Sequence, residues 1–120
     1  MSLRIFETSI FCEDHTKLAP FYQHVIGLPV AGDEGDAVVF GSMGTAVLLV
    51  GSHSEVRGAA KEPARQIPSL LSDDVRGDYD RLVEKGVEFL GPPAVQGPAT
   101  FVTFRDPEGN LVNILQFDQA

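Results

Sequence analysis

Two stretches of this chain repeat one order of elements, and that repetition constrains the fold more than any other feature. The first runs Leu3–Cys12, a helical segment through Ile26 closed by Gly27, then extended pieces at Pro29–Gly32, Asp36–Phe40 and Thr45–Val50. The second runs Gln66–Ser72, a helix over Val75–Lys85 closed by Gly86, an extended piece at Val87–Leu90, and a hairpin of Thr100–Phe104 with Leu111–Leu115. Asp14 lies 13 positions before Gly27, and Asp73 lies 13 positions before Gly86. Each half reads strand, Asp-capped helix, glycine, three strands. A βαβββ module is therefore expected twice, with eight strands in all. We place the first module over residues 1–52, a linker over 53–65 and the second module over 66–120 of one domain.

The individual elements follow from side-chain period and turn chemistry. Leu3–Cys12 alternates, with Glu7, Ser9 and Phe11 on one face and Phe6, Ile10 and Cys12 on the other. Asp14 and Thr16 are both N-cap candidates. Capping at Asp14 strands Pro20 beyond the first turn, where it removes a hydrogen bond, and capping at Thr16 lessens that conflict. The first helix would bury Leu18, Phe21 and Val25, and the second Val75, Tyr79, Leu82 and Val83. Gly35 and Ser42-Met43-Gly44 mark turns, and Gly91–Pro98 reads as a loop. Asp106-Pro107-Glu108-Gly109 is a turn with a mechanism. The aspartate accepts hydrogen bonds, proline pre-sets φ, and glycine takes the positive φ on leaving.

Charge and cysteine usage narrow the partners. Seventeen acidic against 9 basic side chains give a formal charge of −8, which disfavours nucleic acid and anionic membranes. Cys12 is the single cysteine, so no internal disulfide can form, and it reads as a small buried side chain in a strand. No apolar run approaches the roughly 20 residues of a membrane helix, and no signal peptide is evident. The expected location is the cytoplasm.

Glu13-Asp14, FYQHVIGL at Phe21–Leu28, DDV…KGV at Asp73–Val87 and FRDPEGNLVNILQ at Phe104–Gln116 together resemble the vicinal oxygen chelate superfamily. That family contains glyoxalase I, extradiol dioxygenases, methylmalonyl-CoA epimerase, and fosfomycin- and bleomycin-resistance proteins. The resemblance implies an α+β fold in which two paired βαβββ modules form a curved mixed sheet around a cup. It also implies a homodimer. Metal-dependent members hold a divalent ion with four inward ligands, usually His, Glu or Gln. Carried over position by position, those slots fall on Glu7, Leu49, Ile67 and Asn113. Leucine and isoleucine offer no donor atom, so the expectation is no metal and no other cofactor. A shift of one residue would bring Gln66 into the third slot, but Leu48 or Val50 would still fail in the second.

Two polar side chains then carry the interest. Glu7 either faces solvent at a sheet edge or projects into the cup, and its phase with Ser9 and Phe11 favours the cup. There it would bind a polar ligand or act as a catalytic proton acceptor. Asn113 is either a satisfied structural amide or a reader of the ligand. Val47, Leu49, Ile67, Ser9 and Ser69 would line the same cavity. His15, His24 and His53 fall in a cap, on a helix flank and in the linker, and read as surface residues. No nucleophile elbow or phosphate-cradling loop appears.

The leading expectation is a metal-independent protein that binds a small organic ligand, with drug sequestration as one version. The alternative is a glyoxalase- or dioxygenase-like enzyme, a lyase, isomerase or oxygenase, with divalent metal or with Glu7 as base. A third reading is a dimeric module whose cup is filled by its own side chains.

Overall fold

A computed structural model of the chain describes residues 2–42 and 44–118, so Met43, expected in a turn, lies outside the described residues. The chain divides into two compact units, Met1–Ala59 and Ala60–Ala120. Unit 1 contains β1 (Glu7–Cys12), the helix α1 (His15–Pro20) continuing as a π-wound segment (Phe21–Ile26), β2 (Val30–Asp33), β3 (Ala37–Phe40) and β4 (Val47–Ser52). Unit 2 contains a 3₁₀ turn (Pro63–Arg65), β5 (Ser69–Leu71), α2 (Val75–Glu84), β6 (Glu88–Phe89), β7 (Ala94–Gln96), β8 (Ala99–Arg105) and β9 (Leu111–Phe117). Each unit is a mixed sheet with a helix after its first strand. The orders are β1-β4-β3-β2 and β5-β9-β8-β6, with β7 also pairing with β8. β1 runs parallel to β4 and β5 parallel to β9, as a strand–helix crossover requires. The fold is α+β and the module βαβββ is repeated, with one additional strand, β7, in unit 2.

Nine strands are present among the described residues rather than eight, because Val95 and its neighbours in the expected loop pair with Thr100 across a tight turn. β1 is also shorter than its sequence pattern. Residues 2–6 have β-type side chains but no partner strand, and Leu3 and Ile5 are 98% and 80% exposed. The last ladder contact is Val47 N donating to Phe6 O at 3.2 Å, since β4 begins at Val47. A strand exists only where a neighbour satisfies its backbone.

Asp14, not Thr16, caps the first helix: its Oδ1 accepts from Thr16 N at 3.0 Å and from Thr16 Oγ1 at 2.6 Å. Those bonds hold the Asp14 carboxyl below the usual aspartate range. Pro20 consequently sits inside the helix, and there the winding changes from α to π. Proline has no N–H for the carbonyl four residues back, so the ladder must re-form beyond it. The second helix is capped by Asp74, whose Oδ1 accepts from Gly77 N at 3.0 Å. Asp14 to Gly27 is thus 13 positions, but Asp74 to Gly86 is 12. π winding closes each hydrogen bond over one more residue than α winding, as in Gly27 N to Tyr22 O at 3.1 Å, and absorbs the extra position. Gly27 and Gly86 both end their helices at positive φ, 90° and 86°, where a Cβ would be strained.

Each helix covers one face of its sheet. In unit 1 the Tyr22 ring meets Phe40 at 6.3 Å, and Leu18, Ile10, Cys12, Leu48 and Val50 are buried on that side. In unit 2 Val75 and Leu82 pack over buried Val102, Phe104, Val112 and Ile114. Val83 does not join them. It is 47% exposed, because a helix lying on one sheet buries a narrower stripe than its apolar positions occupy. Phe21 and Val25 are half-buried, and Tyr79 reaches the core through an edge contact with Phe89 at 4.8 Å.

The DPEGN turn fixes the register of β8 against β9. Asp106 is the one buried charged residue among those described. Its Oδ1 accepts from Glu108 N and Asn110 N, each at 2.9 Å, while Asn110 Nδ2 donates to Oδ2 at 3.0 Å. The main chain closes with Asp106 N to Asn110 O and Gly109 N to Asp106 O, both 2.9 Å. Ala60 N donates to Glu108 O at 2.8 Å, tying the start of the unit to the same turn.

Candidate functional site

The sheet faces not covered by helices hold the residues singled out from sequence. In unit 1 the register pairs Glu7 with Val47, Ser9 with Leu49 and Phe11 with Gly51. Leu49 and Gly51 are followed on β3 by Val39 and Ala37. Partners in a ladder share a face, so Glu7, Ser9, Val47 and Leu49 stand together opposite α1. Ser9 Oγ donates to Glu7 Oε2 at 3.2 Å, and both residues are half-buried. One end of this face is therefore an acceptor. The other end is apolar: a Cβ placed on Gly51 would come within 3.1 Å of Leu49 Cδ2 and Phe11 Cε1, and 3.2 Å of Ala37 Cβ. Glycine there lets three side chains close over the backbone.

In unit 2 the register aligns Ser69 with Asn113 and Asn113 with Thr103, making a polar row across β5, β9 and β8. The neighbouring row is Leu71, Leu115 and Phe101, which is apolar. Thr103 Oγ1 donates to Asn113 Oδ1 at 2.6 Å, and Asn113 Nδ2 lies 3.5 Å from Ser69 Oγ. Ile67 is 37% exposed and stands two residues ahead of Ser69, before β5 begins. A groove of about 480 Å³ in this unit lies off that row, at the strand ends, lined by Leu71, Ser72, Asp73, Gln116, Phe117 and Asp118.

The two units repeat one register. Ser9 opposes Leu49 as Ser69 opposes Asn113, so Glu7 with Leu49 and Ile67 with Asn113 occupy equivalent places in their sheets. Those are the four positions where the resemblance puts metal ligands, and they do not fit a divalent ion. Leu49 and Ile67 have no donor, and the amide oxygen of Asn113 is engaged by Thr103. Among the described residues no group of three His, Cys, Asp or Glu stands together as ligands would. The histidines are separate. His15 Nδ1 lies 2.7 Å from Ser52 Oγ, His53 Nδ1 accepts from Glu55 N at 3.1 Å, and His24 is exposed on the π segment.

Thr103 escaped the sequence reading. Its signal was present, because a hairpin closed by DPEGN with Arg105 opposite Leu111 places Thr103 opposite Asn113. The turn's bonding pattern, rather than its composition, settles that count.

A βαβββ unit that occurs twice in one chain, each copy with one helix-free face, defines a class of small α+β proteins built on a duplicated module. Residues 4–114 match the family model described as the Glyoxalase/Bleomycin resistance protein/Dioxygenase superfamily, and the chain belongs to that superfamily. The uncharacterised Bacillus subtilis protein YurT is 31% identical over 136 aligned positions, covering 95% of this chain and 99% of YurT. The crystal structure of TnmS3, an antibiotic binding protein from Streptomyces sp. CB03234, is similar with a TM-score of 0.76 at 21% identity, over 98% of each chain. Lactoylglutathione lyase from Agrobacterium tumefaciens gives a TM-score of 0.71 at 25% identity, over 94% of this chain and 92% of the lyase. No helix among the described residues is long and apolar enough to cross a membrane.

Proposed function

We propose that this protein binds a small organic molecule without a metal ion, holding it against the two helix-free sheet faces. Glu7 serves as the acceptor on one face and Asn113 as the polar handle on the other. Ser9, Val47 and Leu49 join Glu7 in contacting the ligand, Ile67 and Ser69 join Asn113, and the protein acts as a cytoplasmic homodimer. One observation carries the reading: the four positions equivalent to the family's metal slots hold one carboxylate, two aliphatic side chains and an amide whose oxygen is already bonded. Such a set suits an apolar ligand with a few polar atoms and suits a divalent cation poorly. The similarity to TnmS3, described as an antibiotic binding protein, supports it further.

The test is calorimetric titration with a panel of aromatic antibiotics, bleomycin among them. At least one member should bind with a negative heat-capacity change, the mark of apolar burial. Glu7→Gln should weaken a donor-bearing ligand by about 1–3 kcal/mol while leaving the fold intact. Absence of binding across the panel, or an unchanged affinity in Glu7→Gln, would refute the proposal.

A further inference from the structure

We infer that Thr103 is a positioning residue that fixes which edge of the Asn113 amide faces the ligand, so that this side of the site reads a hydrogen-bond acceptor. This rests on the binding reading above. An amide can present either its carbonyl or its NH₂, and a site that allows both recognises neither. Two distances decide the orientation here. The contact to Thr103 Oγ1 is 2.6 Å, the length of an O–H···O bond and shorter than N–H···O bonds run. The atom facing Thr103 is thus the amide oxygen, with the hydroxyl as donor. On the opposite side Ser69 Oγ is 3.5 Å away, too long to hold the amide nitrogen.

The consequence follows from donor counting. Asn113 Oδ1 is occupied, and Nδ2 carries two N–H groups with only the long Ser69 contact between them among the described residues. The half-buried amide therefore offers an unfilled donor on the open face, beside the apolar row of Leu71, Leu115 and Phe101. The ligand atom that fits is an acceptor on a flat apolar body: a ketone, quinone or lactone oxygen. A ring N–H or hydroxyl donor would face N–H against N–H. The threonine methyl matters too, since a β-branched residue on β8 is restricted at χ1, which holds the hydroxyl on its partner.

The experiment uses three tricyclic probes of one shape: 9-fluorenone with an acceptor, carbazole with a donor, and fluorene with neither. Affinities are measured by fluorescence or calorimetry for a Glu7→Leu chain, which lacks the carboxylate acceptor of the other face, and for that chain with Thr103→Val or Thr103→Ser added. The Glu7→Leu chain should prefer fluorenone over carbazole by about tenfold, the worth of one made against one unmade hydrogen bond. Adding Thr103→Val should bring that ratio near unity, and Thr103→Ser in its place should restore it. Equal binding of fluorenone and carbazole to the Glu7→Leu chain, or a ratio untouched by adding Thr103→Val, overturns the inference. In parallel, nuclear Overhauser contacts of the Asn113 side-chain NH₂ protons are recorded without any probe. Contacts to Ser69 Hβ support the orientation, and contacts to the Thr103 methyl in their place overturn it. If none of the three probes binds, the binding reading fails, while the amide orientation is still decided by the magnetic-resonance result.

Discussion

Replacing Asp106 by alanine tests whether one carboxylate sets the register on which the candidate site depends. The side chain is 4% exposed and its Oδ1 holds two backbone N–H groups, from Glu108 and Asn110, at 2.9 Å each. Asn110 Nδ2 adds a third donor at 3.0 Å from Oδ2. Hydrogen bonds to a charged acceptor contribute about 1.5–3 kcal/mol each, and leaving a buried donor unpaired costs about 1–3 kcal/mol. Glu108 and Asn110 are half-buried, so water replaces part of what is lost. The expected destabilisation of Asp106→Ala is therefore about 3–5 kcal/mol, a large share of the 5–15 kcal/mol typical of a domain. Asp106→Asn keeps one oxygen for the backbone but turns an NH₂ toward Asn110, and should lose about half as much. Urea denaturation followed by circular dichroism measures both variants, with the slope of the transition checked for constancy. A loss below about 1 kcal/mol for Asp106→Ala would show that the turn holds without its carboxylate, and the reasoning would fail.

Three further outcomes are expected. Leu82→Ala should cost about 2–5 kcal/mol in thermal or urea melts because Leu82 is 1% exposed, whereas Val83→Ser, at 47%, should stay within about 0.5 kcal/mol; similar losses would contradict the helix placement. Asp14 has its folded-state pKa lowered from 3.8 by the Thr16 hydrogen bonds, so its contribution is present above that value and lost as pH falls through the lowered one; Asp14→Asn should flatten the stability curve on that acid limb alone, and an unchanged limb in acid melts would count against the cap. Elemental analysis after dialysis should find no stoichiometric zinc, nickel, iron or manganese, and about one equivalent per chain would refute the slot argument.

Much of the molecule was legible without coordinates, for local reasons. The duplication showed because each helix is bounded by side chains with one physical role: aspartate at the N-cap, glycine at the positive-φ end. The DPEGN turn showed because its residues act on their own backbone. The phase of Glu7, Ser9 and Phe11 showed because a strand alternates wherever it is paired. Where β1 began was decided by β4, a partner 40 positions away in sequence. Which aspartate capped α2, and that Val95 and its neighbours form a strand, were decided by nearer hydrogen bonds, Asp74 with Gly77 and β7 with β8, between which composition does not choose. The π winding after Pro20 likewise reconciles a cap at Asp14 with a glycine 13 positions on, a conflict the sequence poses but does not resolve. Val83 is exposed because burial depends on how wide a stripe the sheet covers, which periodicity alone does not state. The site divides the same way. Residue types at Leu49 and Ile67 speak directly to metal, since chemistry belongs to the side chain. That Asn113 is held by Thr103 depends on hairpin register, which only the closed turn and its hydrogen bonds determine.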